Sequence, residues 1–446
     1  MFDALFTTTT EYKKLSHALS GKGACALFGL PASGRAQVYA ALCRQLDKPL
    51  CIVTPGEAEA TRFAADLNTL GIPAAVFPAR DYVLRPIEGT AREYEYRRLA
   101  VLGELVGGRL RAVAVPAEAL TQFTTPKEDF CANTRTLHAG DTLLRDDLLA
   151  ALFGAGYTRR AQVDGPGQFS VRGDIVDIFA PDQKMPVRME FWGDEIDTLH
   201  TFDLTTQRRE DAIDKFYLSP AREVLFGKPA DAAEQLRAFL AKQRGKKKTA
   251  MADCMAADLD LLDGGAVPVN MDKYLAVRYP HPATVLDYFD DPILVAEEPA
   301  SIREADRATA YRRGEELKSL ILDGVLCAGL DNLYADLSYL WSKTGHYRTI
   351  CAENFARSMP DQPLKDIINA PAHTLPAWNG EVAGLLEDLK PLCDAGYTVT
   401  LLAGTDRAAA GLARDLRDKG ILVTTDAAAP PAAGLVQVLA GHLSAG

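Results

Sequence analysis

Between residues 165 and 209 the apolar positions fall two apart, and Gly, Pro or Asp interrupts every short run. Val187, Met189 and Phe191 alternate with Arg188, Glu190 and Trp192, while Ile175, Asp177 and Phe179 alternate with Val176 and Ile178. Period-two alternation between turn residues predicts an antiparallel meander with one wet face. Residues 23–115 carry a different pattern. ACALFG (24–29) and PLCIVTP (49–55) are short, wholly apolar runs that predict buried strands. A helix is expected over Gly34 to Leu46. A second one spans 56–71, with Phe63, Leu67 and Leu70 on one face and Gly71 as its stop. AAVFP (74–78) and LRAVAVP (110–116) read as further strands. Strands alternating with helices imply a parallel sheet covered by helices.

The texture changes near residue 131. TRTLHAGD (134–141), a helical stretch over Leu143 to Phe153 and the meander together predict an α+β unit. Helices return after Asp214, where Leu236, Phe239 and Leu240 form an apolar stripe. The segment 280–299 then predicts a turn, a short helix and a strand, and a long charged helix runs from about Ala300 to Leu322. From about 345 the pattern is α/β again: GYTVTLLAG (396–404) is a strand, Thr405 caps a helix carrying Leu412 and Leu416, Gly420 ends it, and LVQVLAG (435–441) is a last strand. The expected fold is therefore α/β. A helicase-like parallel-sheet domain with a degenerate P-loop carries an inserted α+β meander domain, and a smaller α/β domain follows. The expected units are 1–130, 131–213, 214–325 and 326–446.

Composition narrows the function classes. The chain has 446 residues, 48% hydrophobic and 24% charged, ordinary for a globular protein, and no apolar run approaches the roughly 18 residues of a membrane span. The eight cysteines form no CxxC and have no His at ligand spacing, which argues for reduced core thiols in a cytoplasmic protein and against a zinc site. A formal charge of −11 does not suit a protein whose whole surface grips nucleic acid. The one basic run, Arg244 to Lys248, reads as a solvated helix end.

ALFGLPASGRAQ (26–37) sits where a phosphate-binding loop belongs, after a strand and before a helix. Gly29 and Gly34 hold the glycine positions of G-x-x-x-x-G-K-[ST], but Arg35 and Ala36 follow. That motif needs an ammonium for the β/γ-phosphates and a hydroxyl for Mg²⁺. Alanine supplies no oxygen, and a planar guanidinium does not replace a compact ammonium in a tight loop. The strand ILVAEEP (293–299) similarly places Ala296 before Glu297, where helicase-type ATPases carry an acidic pair. Ordinary βα turns, a degenerate nucleotide site and an active ATPase are the three readings, and the paired losses favour the second.

The segment 165–209 (GPGQFSVRGDIVDIFAPDQKMPVRMEFWGDEIDTLHTFDLTTQRR) resembles the module shared by UvrB, the damage-loading subunit of bacterial excision repair, and the transcription-repair coupling factor family. Leu286 to Phe289 (LDYF) resembles a UvrB segment preceding the acidic strand. UvrB also carries a tyrosine-rich, DNA-clamping hairpin after its third strand. Here FPARDYVLRPIEGTAREYEYRRLAVLGEL passes almost directly into a helix, so Tyr82, Tyr94 and Tyr96 are expected to pack. The module, the degenerate loop and the missing hairpin together make the chain most similar to the N-terminal part of the coupling-factor family.

That resemblance implies a non-catalytic adaptor that recruits UvrA where RNA polymerase stalls at DNA damage. ATP and Mg²⁺ would act in a downstream motor, and RNA polymerase and double-stranded DNA would be met through the rest of a longer protein, of which this chain would be a fragment. No cofactor, metal or membrane is implied for the fragment itself. The docking residues it implies are Arg159 and Arg172, with Ser170 standing where UvrB has a further arginine, Arg160 as a substitute, and Phe179 as an apolar neighbour. An ion pair of Arg172 with Glu190 or Asp177 inside the module is the competing role for that side chain. The alternative function is a UvrB-like module that binds ATP and damaged DNA.

Overall fold

The computed structural model describes residues 3–87, 92–356, 363–372, 382–427 and 429–444. Its strands, in chain order, are β1 (Gly23–Phe28), β2 (Leu50–Thr54), β3 (Ala74–Val76), β4 (Ala112–Pro116), β5 (Arg135–His138), β6 (Thr158–Arg159), β7 (Gln168–Arg172), β8 (Ile175–Phe179) and β9 (Val187–Trp192). There follow β10 (Glu195–Phe202), β11 (Arg209–Ala212), β12 (Lys215–Leu218), β13 (Ile293–Glu297), β14 (Arg348–Glu353), β15 (Leu364–Asn369), β16 (Val399–Ala403), β17 (Val423–Thr424) and β18 (Val436–Ala440).

A 7-stranded parallel sheet in the order β15-β1-β14-β13-β2-β4-β3 forms the body. Strands β1, β2, β4 and β13 are near-continuous apolar runs because helices cover both faces. In β1, Cys25 and Leu27 join Tyr12, Leu15, Tyr39 and Leu42 on one side, while Ala26 and Phe28 join Leu99, Leu102 and Ile302 on the other. Successive side chains of a strand point to opposite faces, so these four residues feed two cores.

The inserted unit is a 6-stranded sheet, β11-β10-β9-β8-β7-β6, antiparallel except where β6 pairs parallel with β7. Phe169, Val176, Ile178, Met189 and Phe191 bury one face against Leu148 and Leu152 of the helix Arg145–Gly154 and against the β5–β12 ribbon. The opposite face carries Ser170, Arg172, Asp177, Arg188 and Glu190, as the alternation predicts. A helical unit packs around Leu236, Met251, Met255, Tyr274 and Leu330. The small parallel sheet β16-β18-β17 packs on the helices Val382–Asp394 and Asp406–Asp418, the latter capped by Thr405, whose hydroxyl accepts from the Ala408 N–H.

The α/β class, the parallel body and the inserted β domain are as expected. The segment 326–446 is divided between two sheets: β14 and β15 complete the body, and only β16 to β18 form the small sheet. The helix expected from Gly34 begins earlier, at Ala32. Arg244 is exposed, and Lys246, Lys247 and Lys248 lie exposed in the first turn of the helix Gly245–Asp263, matching a solvated helix end. All eight cysteines are free thiols. Among the described residues no helix is long and apolar enough to cross a membrane.

Candidate docking surface and remnant nucleotide loop

The loop after β1 and the end of β13 flank β14 at the carboxyl edge of the body sheet, the side where open α/β folds bind ligands. Gly29 has φ +89, and a Cβ there would come within 2.9 Å of the Ala370 carbonyl oxygen, so glycine is required. Pro31 is the N-cap of the helix Ala32–Leu46, with φ −66 and ψ 162. Arg35 N–H already bonds Pro31 C=O at 2.9 Å. Part of the would-be phosphate loop is therefore helix, and the Arg35 amide that would face an anion is committed to a carbonyl.

The Arg35 side chain is 4% exposed. Its Nε lies 3.2 Å from Glu297 Oε2 and its Nη1 bonds Glu298 Oε1 at 3.0 Å. The Tyr39 hydroxyl donates to Glu297 Oε1. The remnants of the two motifs are thus clamped to each other. Burial pushes the Glu297 carboxyl up to about 7 although Arg35 and Tyr39 pull it down. Glu298 sits at φ +52 and accepts the Asn354 N–H at 3.1 Å. Ala296 is buried and offers no ligand atom. Ala36, also buried, belongs to the core beneath the helix. Among the described residues no cluster of His, Cys, Asp and Glu could hold a metal ion.

The polar face of the meander has two parts. In its middle, Ser170 is in register with Asp177 and Asp177 with Arg188. Asp177 is buried and takes Arg188 Nε at 2.7 Å and Nη2 at 2.9 Å. The Arg188 guanidinium also covers the Phe202 ring at 4.7 Å and donates to Gln207 C=O at 3.2 Å. Phe179 is 6% exposed and packs with Val163 and Phe202. The strand pattern places it outward on the docking surface, but the structure corrects this: Val163, ahead of β7, and Phe202, at the end of β10, cover it. Ser170 is buried as well.

At the margins the face is open. Arg172, Arg159 and Arg160 are exposed. Asp177 is taken by Arg188, and Glu190 lies against Arg209, so the competing intramodule pair for Arg172 does not form. The register sets Arg159 opposite Phe169, hence on the packed side of the β6 edge, whereas Arg172 is opposite Ile175 on the polar side. A partner touching both must wrap the β6–β7 edge. Trp192, which the sequence reading placed in the alternation but not in the site, is 82% exposed. An outward-facing Trp beside a Gly-Asp turn was the available signal.

Buried charges fix this unit to the body. Glu223, just past β12, is fully buried and takes Arg98 Nε at 2.6 Å, with Arg80 Nε at 3.4 Å. Its N–H donates to Glu95 Oε1 at 3.0 Å. Burial alone would raise Glu95, but Arg80, Arg222 and Arg92 outweigh it and bring it down to about 2. Arg80 also forks onto Asp272 at 2.7 and 3.2 Å. Of the tyrosines where UvrB has a hairpin, Tyr82 donates to the Phe123 and Leu333 carbonyls and Tyr96 accepts from Arg222 at 3.0 Å. Tyr94 stays exposed, with Arg97 over its ring.

Residues 136–224 match the family model described as the UvrB interaction domain. The chain is 25% identical over 432 residues to the transcription-repair-coupling factor of Bacillus subtilis (strain 168). It is 23% identical over 428 residues to that of Staphylococcus aureus (strain MRSA252), and 24% identical over 431 residues to that of Staphylococcus haemolyticus (strain JCSC1435). Each alignment covers 94% of this chain and 36% of the relative, so the chain spans little more than a third of the relatives' length. The resemblance read from residues 165–209 is borne out.

Proposed function

We propose that this relative of the transcription-repair-coupling factors is their UvrB-like region and works as a non-catalytic adaptor that docks the excision-repair protein UvrA through the meander. The observation that carries the reading is the coincidence of the UvrB interaction domain match, 136–224, with a sheet whose open margin displays Arg159, Arg160 and Arg172. Exposed arginines that pair with no carboxylate among the described residues suit an acidic partner surface, because the bidentate fork gains most when a partner desolvates it. In this reading the body is scaffold. Arg35 bonded to Glu298 and lying against Glu297 supports the absence of nucleotide chemistry here, and favours the adaptor over a UvrB-like ATP-binding, damaged-DNA-binding module. ATP-driven translocation on double-stranded DNA and displacement of stalled RNA polymerase would fall to other parts of a longer protein. Titration of purified UvrA into the 446-residue chain tests the reading. Saturable binding supports it, and absence of binding at tens of micromolar removes it.

A further inference from the structure

One end of the meander presents a feature that the arginine surface does not account for. Trp192 is 82% exposed, although a tryptophan left in water forgoes the burial its large apolar area would give. It has the strand parity of Glu190, which is in register with Ile175, itself opposite Arg172. Trp192 and Arg172 therefore share the polar side of the sheet. The backbone beneath Trp192 is held from two directions. Gly193, at φ +63, makes the tight turn that pairs Trp192 with Glu195, and the Leu143 N–H bonds Asp194 C=O at 2.7 Å. The neighbouring turn is fixed too: Phe191 N–H bonds Asp174 C=O at 2.9 Å, and Arg145 donates to Gly173 C=O at 2.8 Å. Leu144, 53% exposed, adjoins the same turns.

We propose that Trp192 is a preorganised apolar anchor of the docking surface, and that it enters an apolar socket on UvrA whose rim carries carboxylates facing Arg172. This rests on the docking reading above. Charge complementarity at Arg172, two strands away from Trp192 on the same side and end of the sheet, selects the occupant: Arg145 already has Asp174 at 3.4 Å, whereas Arg172 has no carboxylate partner among the described residues. A second copy of this chain would bring a second Arg172 to the same place. Tryptophan and arginine are the residue types that dominate interface energetics, and a rigid backbone spares the cost of ordering them on contact.

The test compares the full chain with its Trp192→Ala, Trp192→Phe and Arg172→Ala variants by titration with purified UvrA at several salt concentrations. Trp192→Ala is expected to weaken binding at least tenfold while keeping the wild-type salt dependence. Trp192→Phe is expected to retain most of the affinity, and Arg172→Ala to weaken binding and flatten the salt dependence. Tryptophan emission, taken as the difference from Trp192→Phe, should shift to shorter wavelength on binding. If Arg172→Ala weakens binding and Trp192→Ala leaves it unchanged, the anchor is overturned and the docking reading stands. If wild type does not bind UvrA, both fall. Because Trp192 lies outside the core, the Ala variant should fold, which its circular dichroism checks.

Discussion

Replacing Glu223 by Ala should be among the most destabilising single changes in the inserted unit. Its carboxylate is wholly buried and is met by Arg98 at 2.6 and 3.3 Å and by Arg80 at 3.4 Å. Without it, Arg98 keeps only neutral acceptors, Pro78 C=O at 3.1 Å and Gln122 Oε1 at 3.0 Å, and its guanidinium is fully buried. Arg80 is less affected because Asp272 still holds it in a fork. Stranding one buried charge costs about 3–5 kcal/mol. An Arg98→Met/Glu223→Met pair removes both charges at similar volume and should recover most of that loss, since buried pairs often exchange for apolar ones at little net cost. Urea unfolding of wild type, Arg98→Met, Glu223→Met and the double variant gives the coupling. A Glu223→Ala loss below about 1 kcal/mol, or a double variant no better than the singles, would refute the claim that this pair holds the unit to the body.

Two further outcomes concern the remnant loop. Glu297 is raised to about 7 in the fold against roughly 4.3 in an unfolded chain, so the folded state keeps its proton longer. The associated stability is fully present below the unfolded value and is lost as pH rises through about 7, amounting to roughly 3–4 kcal/mol. Glu297→Gln cannot ionise, so its thermal midpoint should gain on wild type between about pH 5 and 8, and parallel curves would contradict this. Because Arg35 is committed to Glu297 and Glu298, a fluorescent ATP analogue with Mg²⁺ should show no saturable micromolar binding. Mg²⁺-dependent saturation would revive the ATP-binding reading.

Much of the fold was legible locally. Alternation at Val187, Met189 and Phe191 set the packed face of β9, and Thr405 and Gly420 marked helix ends, because these signals act within a few residues. What failed was non-local. Nothing in RTICAE tells that β14 pairs with β1, more than three hundred residues earlier, instead of with strands that follow it. Phe179 has outward parity, but Val163 and Phe202 cover it. The loss of a lysine at position 35 was visible, whereas the carboxylates that fill the site instead lie some 260 residues away. With Pro31 as N-cap, the helix starts at Ala32, two residues before Gly34, a boundary that glycine spacing alone misplaced.

The central claim is that the open margin of the meander is the working surface and the α/β body its support. Calorimetric titration of UvrA into the chain and into its Arg159→Ala/Arg172→Ala variant addresses it directly. Both arginines are exposed, so the variant should keep the wild-type circular dichroism and unfolding midpoint. The account predicts saturable wild-type binding and a loss of about 2 kcal/mol or more in the variant, roughly thirtyfold or greater in Kd. Equal affinity of the two proteins would contradict it.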